Sequence, residues 1–150
     1  MNRIRPITQS SVLGAMVLIP LLILSLGCAS TIANYDQVAY ENATSLKVET
    51  LALMDRAGDP YDHHATDIAD LSMRLQKAKE YAQGFQHNED VITQWTTLVG
   101  DSGILGRFFN EWHSQPISPP AYLQDKKERV ASAFDKIIAL EGRKNKATNR

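Results

Sequence analysis

Residues 61–85 read YDHHATDIADLSMRLQKAKEYAQGF, and their spacing decides the fold. Positions 61, 64, 68, 71, 75, 78, 82 and 85 step alternately by three and four. They hold Tyr61, His64, Ile68, Leu71, Leu75, Ala78, Ala82 and Phe85. A heptad seam sustained over more than three repeats belongs to a helix that buries one stripe. Asp67, Asp70, Arg74, Lys77, Lys79 and Glu80 fall on the other face, which is therefore solvated. The run breaks at Gln83-Gly84 and Gln86-His87-Asn88.

The neighbouring segments repeat the same period. A preceding helix is predicted from Ser30 or Thr31, both good N-caps, to about Ala57. Its apolar set includes Ile32, Tyr35, Val38, Ala39, Leu46, Leu53 and Met54, and Asp36 lies near its positive end. Gly58-Asp59-Pro60 stops it, with Gly58 suited to a left-handed C′ position. A third helix is predicted from Asn88, with Glu89 and Asp90 in its first turn and a stripe of Ile92, Trp95, Leu98 and Val99. It is broken near Gly100–Gly103 and resumes with Leu105, Phe108, Phe109 and Trp112. After a proline-rich loop, a fourth helix begins near Pro120. It carries Leu123, Val130, Phe134, Ile137 and Ile138 inward and ends at Gly142. No stretch of six or more residues alternates with period two, so strands are not expected. Four helical spans of similar length with short breaks predict an all-α, antiparallel (up-down) four-helix bundle. The alternative is a three-helix bundle with residues 88–113 folded across one end.

Composition agrees with one packed domain. The chain has 150 residues, 43% of them apolar and 22% charged, which excludes a wholly disordered or low-complexity chain. A formal net charge of −1 gives no basic excess for nucleic acid. A single cysteine excludes an intrachain disulfide framework and a multi-cysteine zinc site.

The N-terminus carries an address. Arg3 and Arg5 precede an uncharged apolar run at 12–26, VLGAMVLIPLLILSL. As a helix those residues would reach about 22 Å, short of the roughly 30 Å of a hydrocarbon core. A positive start, a short apolar core with Gly14 and Pro20 inside it, and small residues at its end make a secretory signal. Ser25-Leu26-Gly27-Cys28 then resembles the lipobox of bacterial lipoprotein precursors. The pattern differs at Ser25, where that class most often has leucine. The resemblance covers residues 1–28 and implies that the Cys28 sulfur receives a diacylglycerol, that the chain is cut before it, and that the new amine is acylated. Ala29, in place of the aspartate that commonly holds such proteins in the inner membrane, implies the outer membrane, facing the periplasm. The expected organisation is a signal peptide at 1–27, a lipidated N-terminus at 28–30, a helical domain at 31–142 and a basic flexible tail at 143–150. Without residues 1–27 the chain carries 14 basic and 17 acidic residues, a net −3. The tail, with Arg143, Lys144, Lys146 and Arg150 and no acid, is the exception.

Few groups in the helical part suggest chemistry. Gly100-Asp101-Ser102-Gly103 has the form of a serine-protease motif, but the chain has neither the length nor the strands for that fold, so it reads as a turn. Asp62, His63, His64, Asp67 and Asp70 include an i, i+4 pair of metal-ligating type. There is no HExxH and no second matching pair, and His64 lies on the apolar seam, so neither a metal nor a cofactor is expected. Asn42-Ala43-Thr44 is a glycosylation tripeptide in mid-helix. Leu105, Phe108, Phe109 and Trp112 read first as a bundle core or end-cap, with Phe108, Phe109 and Trp112 as the candidate interaction surface for a partner or membrane in the second reading. The functional expectation is a non-enzymatic, lipid-anchored helical envelope protein that tethers or adapts another envelope protein. The alternatives are a surface-exclusion or lysis lipoprotein of a mobile element, or a carrier for an apolar ligand in the bundle, where Ala78 and Ala82 would leave room.

Overall fold

The computed structural model describes residues 33–148, with side chains as far as Lys144. The expected signal segment 1–27, Cys28, the expected helix start at Ser30 or Thr31, and Ile32 lie outside the described residues. Over the described residues the chain is all-α. It has α1 (Gln37–Met54), a 3-10 turn (Tyr61–His63), α2 (Ala65–Gln83), α3 (Glu89–Leu98), α4 (Ile104–Ser114) and α5 (Pro120–Thr148). The helices span 18, 19, 10, 11 and 29 residues rather than four similar lengths.

Asp36 sets where α1 begins. Its backbone is extended, and its Oδ1 accepts from Ala39 N at 2.8 Å. The bond satisfies one of the amides that a helix start leaves free. Asp36 is therefore the cap itself, and residues 33–36 are not helical. At the other end Gly58 does not take the expected left-handed role, since Gly100 is the glycine of positive φ among the described residues. The last turn instead tightens through Arg56 N to Leu53 O and Ala57 N to Met54 O, both 3.0 Å.

The seam of α2 is buried as its spacing predicts, at Ile68, Leu71, Leu75, Ala78 and Ala82. Asp67, Asp70, Arg74 and Lys77 are exposed. In α3 the buried stripe is Val91, Trp95 and Leu98, and Ile92 is only half-buried. The break between α3 and α4 is tight. Gly100 has φ 104°, and a Cβ on Gly106 would fall 2.1 Å from the Gly100 carbonyl oxygen. Glycine is required at both places, one for its backbone angle and one for the close approach.

α1 packs against α2 and α5, and α3 packs against the same two helices. α4 touches α3, α5 and the 3-10 turn. One contiguous core runs through these contacts, with Met54, Leu75, Trp95, Phe134 and Ile137 among its members. Trp95 meets Phe134 edge-on at 6.0 Å. Leu75→Ala should cost about 2–5 kcal/mol of stability, while Asp70→Ala should stay within about 0.5. Equal shifts in thermal midpoint for the two would refute the assigned face of α2.

The expected end at Gly142 is overturned. The helix runs through it to Thr148, and Lys144 is buried inside the segment read as a flexible basic tail. A glycine in mid-helix costs about 1 kcal/mol relative to alanine. Packing beyond it overrides that preference, because Glu141 and Lys144 both bury their side chains against other elements.

Candidate functional site

The aromatic ridge of α4 faces inward. Phe108, Phe109 and Trp112 are all buried, as the core or end-cap reading expects, and the alternative of an exposed interaction surface is corrected. Trp112 is fully enclosed, and its Nε1 donates to Asp59 O at 2.8 Å. Around its ring lie Tyr61 at 5.9 Å, His64 at 5.5 Å and Phe108 at 6.2 Å. His64 is in turn 3.1 Å from the Asp59 carboxylate. Ile117 N donates to Ala57 O at 2.7 Å, so the C-terminal end of α4 and the loop after it are fastened to the α1–α2 connection. Of the acid–histidine group at 62–70, His64 lies against the Trp112 ring, while Asp62, His63, Asp67 and Asp70 are exposed. Among the described residues no group of three or more His, Cys, Asp or Glu is placed to hold a metal.

The opposite connection holds a polar cluster that the sequence does not announce. Asn88, Glu141 and Lys144 are 2%, 1% and 4% exposed. Asn88 stands at the N-cap of α3 without capping it. Its Nδ2 donates to Ala82 O at 2.7 Å, closing the end of α2, and its Oδ1 accepts from Lys144 Nζ. Lys144 Nζ also donates to Glu141 Oε1 at 3.0 Å and lies 2.9 Å from Oε2, which takes no aligned hydrogen bond. Burial pushes the Glu141 carboxyl above its ordinary range; Lys144 pulls it down, and the charge of Asp36 pushes it up again. The N-terminal strand of chain arrives at the same corner, where Ala33 N donates to His87 O at 3.2 Å. Asp36 accepts from the Tyr81 hydroxyl at 3.2 Å.

No protein-family model, curated protein or solved structure matches this chain.

A groove of about 440 Å³ runs between α3 and α5, lined by Asp90, Thr93, Gln94, Lys136, Ala139 and Leu140 among others. Ala78 and Ala82, the small residues that would leave room for an apolar ligand, are themselves buried. Ion pairs stitch the helices across their outer edges: Glu49 with Arg74, Lys47 with Asp135, Lys127 with Asp55. Such exposed pairs are worth little singly. Asp101 and Ser102 are exposed in the α3–α4 turn, as a turn reading expects. No described helix is long and apolar enough to cross a membrane.

Proposed function

We propose that this chain is a lipid-anchored, non-enzymatic protein of the bacterial envelope that tethers or adapts another envelope protein. The observation that carries the reading is Cys28, a sole cysteine after a small residue at the end of a 15-residue uncharged run. Lipid attachment there supplies about 0.8 kcal/mol per buried CH₂, so two or three acyl chains hold firmly. Ala29 favours the outer membrane, facing the periplasm. Helices α1, α2, α3 and α5 form an up-down four-helix arrangement in this reading, with α4 crossing one end. Each of α1 and α3 packing on both α2 and α5 supports that ring.

The tether is short. Four residues lie between Cys28 and Ala33, and the five steps of chain reach about 17 Å even when fully extended. The helical unit therefore works close to the bilayer, and its partner must reach it there. Cys28→Ser tests the anchor. The variant should lose its processed form and leave the detergent-extracted membrane fraction. A variant that matures to the same size and stays membrane-bound would overturn the proposal.

A further inference from the structure

We propose that Asn88, Glu141 and Lys144 form a proton-sensitive latch, which holds the last turns of α5 against the corner where the chain enters the fold. The latch tightens in acid and loosens as pH rises.

The geometry supplies the parts. Lys144 bridges Glu141 on its own helix to Asn88, and Asn88 ties the bridge to the end of α2 through Ala82 O. One residue earlier, the His87 carbonyl receives Ala33 N. His87 itself has φ 59°, a left-handed backbone that is uncommon outside glycine and must be held by its surroundings. The corner thus gathers the N-terminal strand, the α2–α3 connection and the end of α5. Three polar side chains, each more than nine-tenths buried, join them.

The direction of the response follows from what surrounds Glu141. Lys144 on α5 favours its charged form, and Asp36 at the start of α1 disfavours it. α2 contributes Tyr81, bonded to Asp36, and the α2–α3 connection contributes the neutral Asn88. Tyr40 of α1 borders Gly142, its ring 3.7 Å from where a Cβ would stand. Burial is the largest influence, and it penalises the carboxylate. When the latch opens, Glu141 meets water and its carboxyl returns to about the ordinary 4.5. The closed form then binds a proton more readily than the open form over the interval from 4.5 up to the raised value. Opening is linked to proton release and becomes easier as pH rises through that interval. Each unit of elevation is a tenfold change in the opening constant.

Hydrogen exchange of the full-length chain in detergent micelles reads this directly, after correction for the intrinsic pH dependence of exchange. Protection of the amides at 141–144 should fall several-fold between about pH 4.5 and pH 7.5, while the amides of Phe134 and Ile137 keep theirs. Glu141→Gln keeps an oxygen for Lys144 but cannot titrate, so its protection should be flat across the same range. Asp36→Asn keeps the capping oxygen and removes the charge, so it should shrink the wild-type slope; this arm decides the matter if Glu141→Gln does not fold. A flat wild-type profile, a full slope in Glu141→Gln, or an unchanged slope in Asp36→Asn would overturn the proposal.

Discussion

Trp112→Ala is expected to lower the unfolding free energy by about 3–5 kcal/mol, at the upper end for core truncations. Trp112 is fully buried, and its ring supports Tyr61, His64 and Phe108 together. The substitution also strips the donor from Asp59 O, in the connection that links α1 to α2. Trp112→Phe separates the two contributions. It keeps most of the apolar volume but leaves the carbonyl without its partner, which should cost about 1–3 kcal/mol. Denaturant midpoints at constant m-value measure both. A loss under about 1 kcal/mol for Trp112→Ala would return the α4 ridge to the surface.

Lys144→Met is expected to cost about 3–5 kcal/mol near neutral pH, because it strands a buried carboxylate. The same change leaves Asn88 Oδ1 without its ammonium donor. The cost has a pH signature. Without Lys144, which pulls the Glu141 carboxyl down, that carboxyl rises further above the unfolded value of 4.5. Protonation relieves the stranded charge, so the penalty is largest at neutral pH and shrinks on acidification. Adding Glu141→Leu should recover most of the loss, since apolar replacement of a buried pair is often neutral or stabilising. A double-mutant cycle checks this. A Lys144→Met cost under about 1 kcal/mol at neutral pH would mean that the last turns of α5 are as loose as their composition suggests.

That composition explains where sequence reading stopped. α2 was legible because its two faces agree: every third or fourth residue is apolar, and the charges fall between them. The α4 stripe was legible as amphipathic, but a stripe has the same pattern whether its cover is a helix of the same chain or a partner. Only the contacts of Trp112 with Asp59, Tyr61 and His64 separate the two. The ends of helices were harder. Ser30 and Thr31 are good local caps, yet Asp36 caps α1, and residues 33–36 run outside any helix. Glycine is a reasonable stop signal, yet Gly142 lies inside α5 because Glu141 and Lys144 pack on either side of it. The buried cluster was not legible at all. A Glu and a Lys three residues apart near a chain end read as solvated, and the partner that draws Lys144 inward, Asn88, is 56 residues away. Burial of a charge is a tertiary property, set by groups that have no fixed spacing along the chain.

The proposed lipid anchor is independent of all these contacts, and in this reading it governs where the helical unit acts. Intact-mass measurement of the chain purified from membranes tests it most directly. The account predicts a polypeptide that starts at Cys28 and carries a diacylglyceryl group on its sulfur, with an acyl chain on its new amine. A chain that keeps residues 1–27, or one cut elsewhere with an unmodified Cys28, would contradict it.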